Sequence, residues 1–156
     1  MLAEIGEGDG FGEEALLSGE PRNASVTMLT DGRLMRLSAK NFNLSLRQPL
    51  VKWVSSKEAV AMSQAGAGLV DVRLEDEFQA GTLRGSINIP LYLVRVRAKT
   101  LNPKRKYVLF CQTERRSCVA AFLLSQRGLD TYVLKGGLNS LKQAKDAEAG
   151  QLTQSQ

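Results

Sequence analysis

Tyr107-Val108-Leu109-Phe110-Cys111-Gln112-Thr113-Glu114-Arg115-Arg116-Ser117 decides how this chain is read. The first four residues form a continuous apolar run, short enough for a strand buried on both faces. The run ends at Cys111, and six polar residues follow it. Residues 116–128 then carry Val119, Ala120, Phe122, Leu123 and Leu124 in a helical stretch that Gly128 closes. Working outward, the same alternation recurs. Upstream, residues 55–64 read as a helix capped by Ser55 or Ser56, with Ala59, Val60 and Met62 as its apolar positions and Gly66-Ala67-Gly68 as its stop. Residues 68–72 (GLVDV) are a short buried strand, 74–78 (LEDEF) a helical turn, and 86–89 (SINI) a second short strand stopped by Pro90. Residues 91–99 read as a helix with a basic face. Downstream lie a strand at 131–134 (TYVL), Gly136-Gly137, and a helix near 138–145. Strands separated by helices imply a parallel α/β sheet. The polar tail 147–156 reads as frayed.

Residues 1–50 have a different texture. Residues 11–17 form a short amphipathic turn, 24–29 (ASVTML) read as a strand, and 30–37 as a hairpin about Asp31-Gly32. Gln48-Pro49 is the natural boundary. A segment this short has no core of its own, because burial in chains below about 40–60 residues rarely offsets chain entropy. It either packs on the second block or completes a larger unit.

Composition narrows the chemistry. The chain has 156 residues, 43% of them hydrophobic, enough for one packed domain and part of a second. It has no His, which removes imidazole-assisted nucleophiles. With two Cys and no His, Cys₂His₂ and Cys₄ zinc sites are also excluded. Cys111 and Cys118, with six residues between them, are no disulfide framework, and the acidic, Gly-rich start lacks a secretory pattern. No apolar run reaches the roughly 18 residues of a membrane span. A cytoplasmic protein with no membrane partner is expected.

The charge is unevenly spread. Residues 1–50 hold five basic and seven acidic side chains, and residues 51–156 hold sixteen and nine. Arg95, Arg97, Lys99, Lys104, Arg105 and Lys106 are the densest basic stretch. Its ordinary reading is a solvated loop. Its sharper reading is a field that draws small anions toward a nearby site. Nucleic acid is disfavoured, since no aromatic residues interleave the basic ones.

Cys111 is the candidate reagent. A strand that delivers it to the start of a helix places sulfur at the positive end of a helix dipole, facing free backbone N–H groups. Such surroundings favour thiolate without a His and suit a persulfide or an incoming oxyanion. The competing reading is a buried inert thiol, which a strand end and polar loop disfavour. For Cys118, inside the helix, a packed thiol is the expectation; a resolving disulfide with Cys111 would need the loop to rearrange.

Asp71-Val72-Arg73 with Glu77-Phe78, then Gly81-Thr82-Leu83-Arg84-Gly85-Ser86-Ile87-Asn88-Ile89-Pro90-Leu91, the Cys111 loop, and Leu134-Lys135-Gly136-Gly137-Leu138 are separated pieces of one pattern. Together they resemble a single rhodanese domain. The resemblance implies a three-layer α/β fold with a central parallel sheet flanked by helices, over residues 51–146. It implies a sulfurtransferase in which Cys111 takes sulfane sulfur from a small anionic donor such as thiosulfate, becomes a persulfide, and yields the sulfur to a thiol or cyanide. The persulfide is the carrier, and no separate cofactor or metal is implied. Gln112, Thr113, Glu114, Arg115, Arg116 and Ser117 would form the substrate loop, with Arg116 as its anchor and Arg115 on the donor's oxyanion. Asp71 and Arg73 read as a structural ion pair near the sheet edge. The rival reading is a non-enzymatic regulatory or sulfur-carrier module. A phosphatase cradle would need its Arg six positions after Cys111, where Ser117 stands.

Three positions depart from the family pattern. Thr82 stands where His is usual, and Leu141 where Trp is common; both read as structural. Glu114 stands where a small residue is common. A carboxylate there would oppose a thiolate and repel thiosulfate unless it turned outward to Arg115.

Residues 8–16 and 20–26 resemble the phosphate cassette of a cyclic-nucleotide-binding domain. The resemblance gives Gly12, Glu13, Arg22 and Ser25 as vestigial nucleotide contacts, with Arg22 on the phosphate and Glu13 on the ribose. Asn23 departs from the small residue or Thr usual after that Arg. Only the last third of such a domain is represented, so residues 1–48 are expected to be a β-roll remnant, β-rich, docking on the second block or pairing two chains into a homodimer.

Overall fold

The apolar runs become strands of one sheet. In a computed structural model that describes residues 4–18, 21–22, 24–42, 44 and 51–141, the strands are β1 (Lys52–Val54), β2 (Gly68–Asp71), β3 (Ile87–Asn88), β4 (Lys106–Phe110) and β5 (Asp130–Leu134). Their spatial order is β1-β5-β4-β2-β3, and every pair is parallel. Leu109 of β4 sits between Val70 of β2 and Val133 of β5, so β4 is the central strand. The helices are α1 (Glu13–Ser18), α2 (Ala39–Phe42), α3 (Ser56–Gln64), α4 (Glu75–Gln79), α5 (Val94–Arg97), α6 (Arg115–Ser125) and α7, described over residues 137–141.

The period of two along each strand builds two cores. Tyr107 and Leu109 of β4, Val70 of β2 and Val133 of β5 face α6 and α5, where Val119, Phe122, Leu123 and Val94 are buried. Val108 and Phe110 face the other way, onto Val54, Ala59 and Leu134, with Leu138 and Leu141 packed beside them. The expected three layers are present. Leu141 fills a position in that second core, as its reading as a packing residue requires.

Helix α3 begins at Ser55, whose N–H donates to Glu58 Oε2 at 2.7 Å while its Oγ accepts from Glu58 N at 3.3 Å. This reciprocal capping box decides between the two serines. Gly66 (φ +95°) and Gly128 (φ +77°) close the ends of α3 and α6, as their places in the sequence require.

Four local readings need correction. The sequence offers no strand at β1, because Lys52 breaks the apolar stretch between Val51 and Trp53; as an edge strand β1 leaves Lys52 and Trp53 exposed and buries Val54. Residues 91–99 are not one helix but 3₁₀ turns at Leu91–Leu93 and Ala98–Thr100 flanking the single turn of α5. The Leu91 N–H donates to Val72 O, tying this connection to the end of β2. Residues 24–37 contain no strand, and Gly32 lacks the positive φ that an Asp-Gly hairpin turn demands. The expected β-rich N-terminal segment is therefore overturned among the described residues. An isolated hairpin without further strands is marginal in water, and the regular structure here is α1 and α2. The last part of the expected 138–145 helix, and the tail 147–156, lie outside the described residues.

Helix α1 packs against α6, Leu16 lies on the α6-side core, and Phe42 (4% exposed) meets Phe122 edge-on at 5.3 Å between centroids. The N-terminal segment thus docks on the second block.

Candidate functional site

Parity along β4 carries Cys111 to the same face as Tyr107 and Leu109, at the C-terminal end of the central strand and against α6. The chain moves outward to β3 after β2 but toward β5 after β4, so the loops leaving these neighbours diverge. In open parallel sheets the crevice at such a divergence is the place for ligands.

The loop from Cys111 to Ser117 turns back on itself, with Cys111 Sγ 3.6 Å from Ser117 Oγ. Its outer side is held by the turn after β5. Leu138 N donates to Cys111 O at 2.9 Å and Asn139 N to Gln112 O at 3.1 Å. Because a trans peptide points its N–H opposite to its carbonyl, the Gln112 and Thr113 amides face the other way, into the loop. Among the described residues, the N–H groups of Gln112, Thr113, Glu114, Arg116 and Ser117 donate to no protein acceptor. They are a set of unfilled donors at the start of an 11-residue helix.

Gly136 (φ +73°) and Gly137 (φ +59°) make the clamp possible. A Cβ on Gly137 would collide with the carbonyl groups of Cys111 and Thr113. In the sequence the pair reads as a motif without a task; its clamping role, and the Gln112 Nε2–Asn139 Oδ1 hydrogen bond beside it, emerge only in the fold. The signal was the Gly-Gly pair directly after a strand.

Arg116 donates to Glu77 through both arms of its guanidinium, at 2.6 and 2.8 Å. Glu77 first, and the Cys111 sulfur more weakly, raise the Arg116 pKa above its ordinary value. Arg116 holds the Glu77 carboxyl down to about 2, with the Leu74 N–H assisting. Glu77, which has no evident role in the sequence, orients the loop's anchoring Arg.

Glu114 turns outward, the alternative the sequence leaves open, onto a partner the sequence does not suggest. Its Oε2 accepts from Gly136 N at 2.6 Å, so the carboxylate lies on the carbonyl side of the loop with the turn that clamps it. Thr113 and Arg115 are exposed at the rim. Cys111 is 1% exposed, as buried as Cys118. What separates the two is surroundings: Cys118 lies within α6 among Val119, Ala121 and Phe122, whereas Cys111 faces Ser117 and Arg116.

Asp71 and Arg73 form a buried pair, Nη2 to Oδ2 at 2.7 Å, with side chains 0% and 6% exposed. Arg73 also donates to Gly81 O, and Thr82 Oγ1 to Asp71 Oδ2 at 2.8 Å. This is a structural network, and Thr82 belongs to it.

Two sequence readings of charge fail to converge on Cys111. Lys104, Arg105 and Lys106 lie at the N-terminal end of β4, the opposite end from Cys111, roughly 16 Å along the strand at about 3.3 Å per residue. Arg105 bonds Gly66 O and lies by the Tyr107 ring, and Lys106 lies over Tyr132. Lys104, Arg105 and Lys106 therefore add no local field at Cys111, and all three are exposed, as the solvated-loop reading has them. Arg95 is committed elsewhere: it pairs with Glu13, which is 7% exposed. Glu13 therefore serves as the tie between α1 and α5. Arg22 lies across Gly12, and Arg22 and Ser25 are exposed.

A five-stranded parallel sheet whose central strand ends in a cysteine, cradled by an amide-lined loop, defines a known class of α/β domain. The chain belongs to the rhodanese-like family, whose model matches residues 55–144. A model of the cyclic nucleotide-binding domain matches residues 1–48. The Bacillus subtilis protein YqhL is 35% identical over 92 residues, 58% of this chain and 72% of that protein. The Escherichia coli thiosulfate sulfurtransferase PspE is 32% identical over 78 residues, 49% of this chain and 75% of that protein. Among solved structures, the Bacillus anthracis CoADR-RHD is 32% identical with a TM-score of 0.55, spanning 58% of this chain but 16% of that longer one. The human single-domain sulfurtransferase TSTD1 is 25% identical with a TM-score of 0.53, over 60% of this chain and 96% of its own.

Proposed function

We propose that this chain is a sulfurtransferase that moves sulfane sulfur through a persulfide on Cys111. The observation that carries the reading is the set of unfilled amides around Cys111 at the end of β4. The family supports it, as does similarity to a thiosulfate sulfurtransferase.

In the first step the Cys111 thiolate attacks the outer sulfur of thiosulfate. A new S–S bond forms at Cys111, the donor's S–S bond breaks, and sulfite leaves with the electron pair. The unfilled amides of Gln112, Thr113, Glu114, Arg116 and Ser117 at the α6 N-terminus then face a terminal sulfur carrying negative charge, which oriented N–H dipoles stabilise. In the second step an acceptor thiolate or cyanide attacks that outer sulfur and Cys111 leaves as thiolate. Arg116, fixed by Glu77, anchors the loop, and Arg115 at the rim meets the donor's oxyanion. The proposed setting is a reducing cytoplasm, where Cys111 stays a thiol between turnovers. Among the described residues no helix is long and apolar enough to cross a membrane.

Mass spectrometry of the intact protein tests this. Thiosulfate should add one sulfur, about 32 Da, at Cys111. Cyanide should remove it, and Cys111→Ser should not acquire it. An unmodified Cys111 after exposure to thiosulfate and to an organic persulfide would refute the proposal.

A further inference from the structure

A carboxylate next to a sulfur nucleophile has two opposite meanings. Pointed into the loop, it repels anionic donors. Pointed away, it holds the loop. The geometry points to the second: we infer that Glu114 is a positioning residue, a clasp that keeps the Cys111 loop closed on the turn after β5 without placing its charge against the sulfur. The inference rests on the proposed role of Cys111 for its consequence in transfer, but the clasp itself stands on structure alone.

Three observations carry it. The 136–139 turn presents three N–H groups to the loop: Gly136 takes Glu114 Oε2, Leu138 takes Cys111 O and Asn139 takes Gln112 O. Glu114 thus joins the row of backbone carbonyls on the outer side of the loop, while the unfilled amides face inward. Second, these N–H groups belong to the start of α7, whose first donors have no partners within their own helix. The carboxylate satisfies one of them, so the negative charge is held by that peptide dipole. Third, Glu114 is also the residue from which α6 departs, and its own carbonyl accepts from Cys118 N at 2.9 Å and Ser117 Oγ at 3.1 Å. One residue therefore joins the Cys111 loop, the first turn of α6 and the turn after β5.

With the clasp shut, Cys111 is 1% exposed. Removing it should loosen the loop, uncovering the thiol and disordering the inward amides together. Glutamine keeps an oxygen that accepts from Gly136 N and loses the charge. Alanine loses both.

The experiment compares Glu114→Gln and Glu114→Ala with the wild type. Peptide-resolved iodoacetamide labelling gives the alkylation rate at Cys111, stopped-flow gives sulfur transfer from thiosulfate, and thermal melting verifies that each variant folds. The clasp predicts that Glu114→Ala is alkylated roughly tenfold faster and transfers roughly tenfold more slowly, a change of about 1.4 kcal/mol in the barrier. Glu114→Gln should stay within about twofold of wild type in both. Faster thiosulfate transfer in either variant would overturn the inference, since it would reveal a charge barrier. Unchanged alkylation in Glu114→Ala would overturn it as well. If the wild type accepts no sulfur, the proposed function falls, while the alkylation comparison still decides the clasp.

Discussion

Glu77 stands on α4 and Arg116 on α6, thirty-nine positions apart, and the two meet in a bidentate pair about one-third exposed. Its value is greater in geometry than in energy, because partly exposed ion pairs are screened. It nevertheless leaves a pH signature. The Glu77 carboxyl lies at about 2 in the folded chain against an ordinary 4.5, so its contribution is complete above 4.5 and fades as the pH falls toward 2. Urea midpoints of wild type and Glu77→Gln should therefore differ most at neutral pH and converge between pH 4.5 and about 2. A constant gap through that window would place the effect elsewhere. The buried Asp71–Arg73 pair is a sharper case. Asp71→Asn leaves Arg73 uncompensated at a nearly sealed position and should cost about 3–5 kcal/mol in chemical denaturation.

At the scale of elements, the decisive contact is between the Cys111 loop and the Gly136-Gly137 turn. Gly137→Ala combines a left-handed φ of +59° with a collision against backbone carbonyls, neither of which a flexible side chain can relieve. The fold should survive, while persulfide formation at Cys111 drops by roughly tenfold or more as the loop is pushed off its clamp. Stopped-flow transfer and circular dichroism on the same sample separate these outcomes. The elements themselves were legible wherever the signal was local. β4 and α6 announce themselves because burial on both faces demands uninterrupted apolar residues. β1 did not, since an exposed edge strand makes no such demand. The partner of Glu114 is illegible for a different reason: Gly136 is twenty-two positions away, and only the closing of β5 beside β4 brings the two together. The hairpin expected at residues 24–37 followed turn chemistry alone, and turn chemistry does not supply the neighbours a hairpin needs.

At the scale of the whole molecule, the chain's two family matches meet along α6. One flank of this helix lies on the sheet. Another is covered by α1 and Phe42, while its first turn carries the residues around Cys111. Phe42→Ala removes an aromatic from that seam and should cost about 3–5 kcal/mol, measured by denaturant unfolding of the full chain. Glu13, paired with Arg95 across eighty-two positions, could not be read as a tie from sequence, because its neighbours resembled those of a ribose contact. The Phe42–Phe122 contact has a consequence for folding cooperativity. A helix whose burial is completed by the N-terminal segment cannot stay native once that segment leaves. Residues of both blocks should then melt in one calorimetric transition, with equal calorimetric and van't Hoff enthalpies. Amides in α6 should exchange with solvent at the rate of global opening. On that expectation the boundary drawn by Gln48-Pro49 divides two sequence patterns within one cooperative unit, and two separate transitions would refute it.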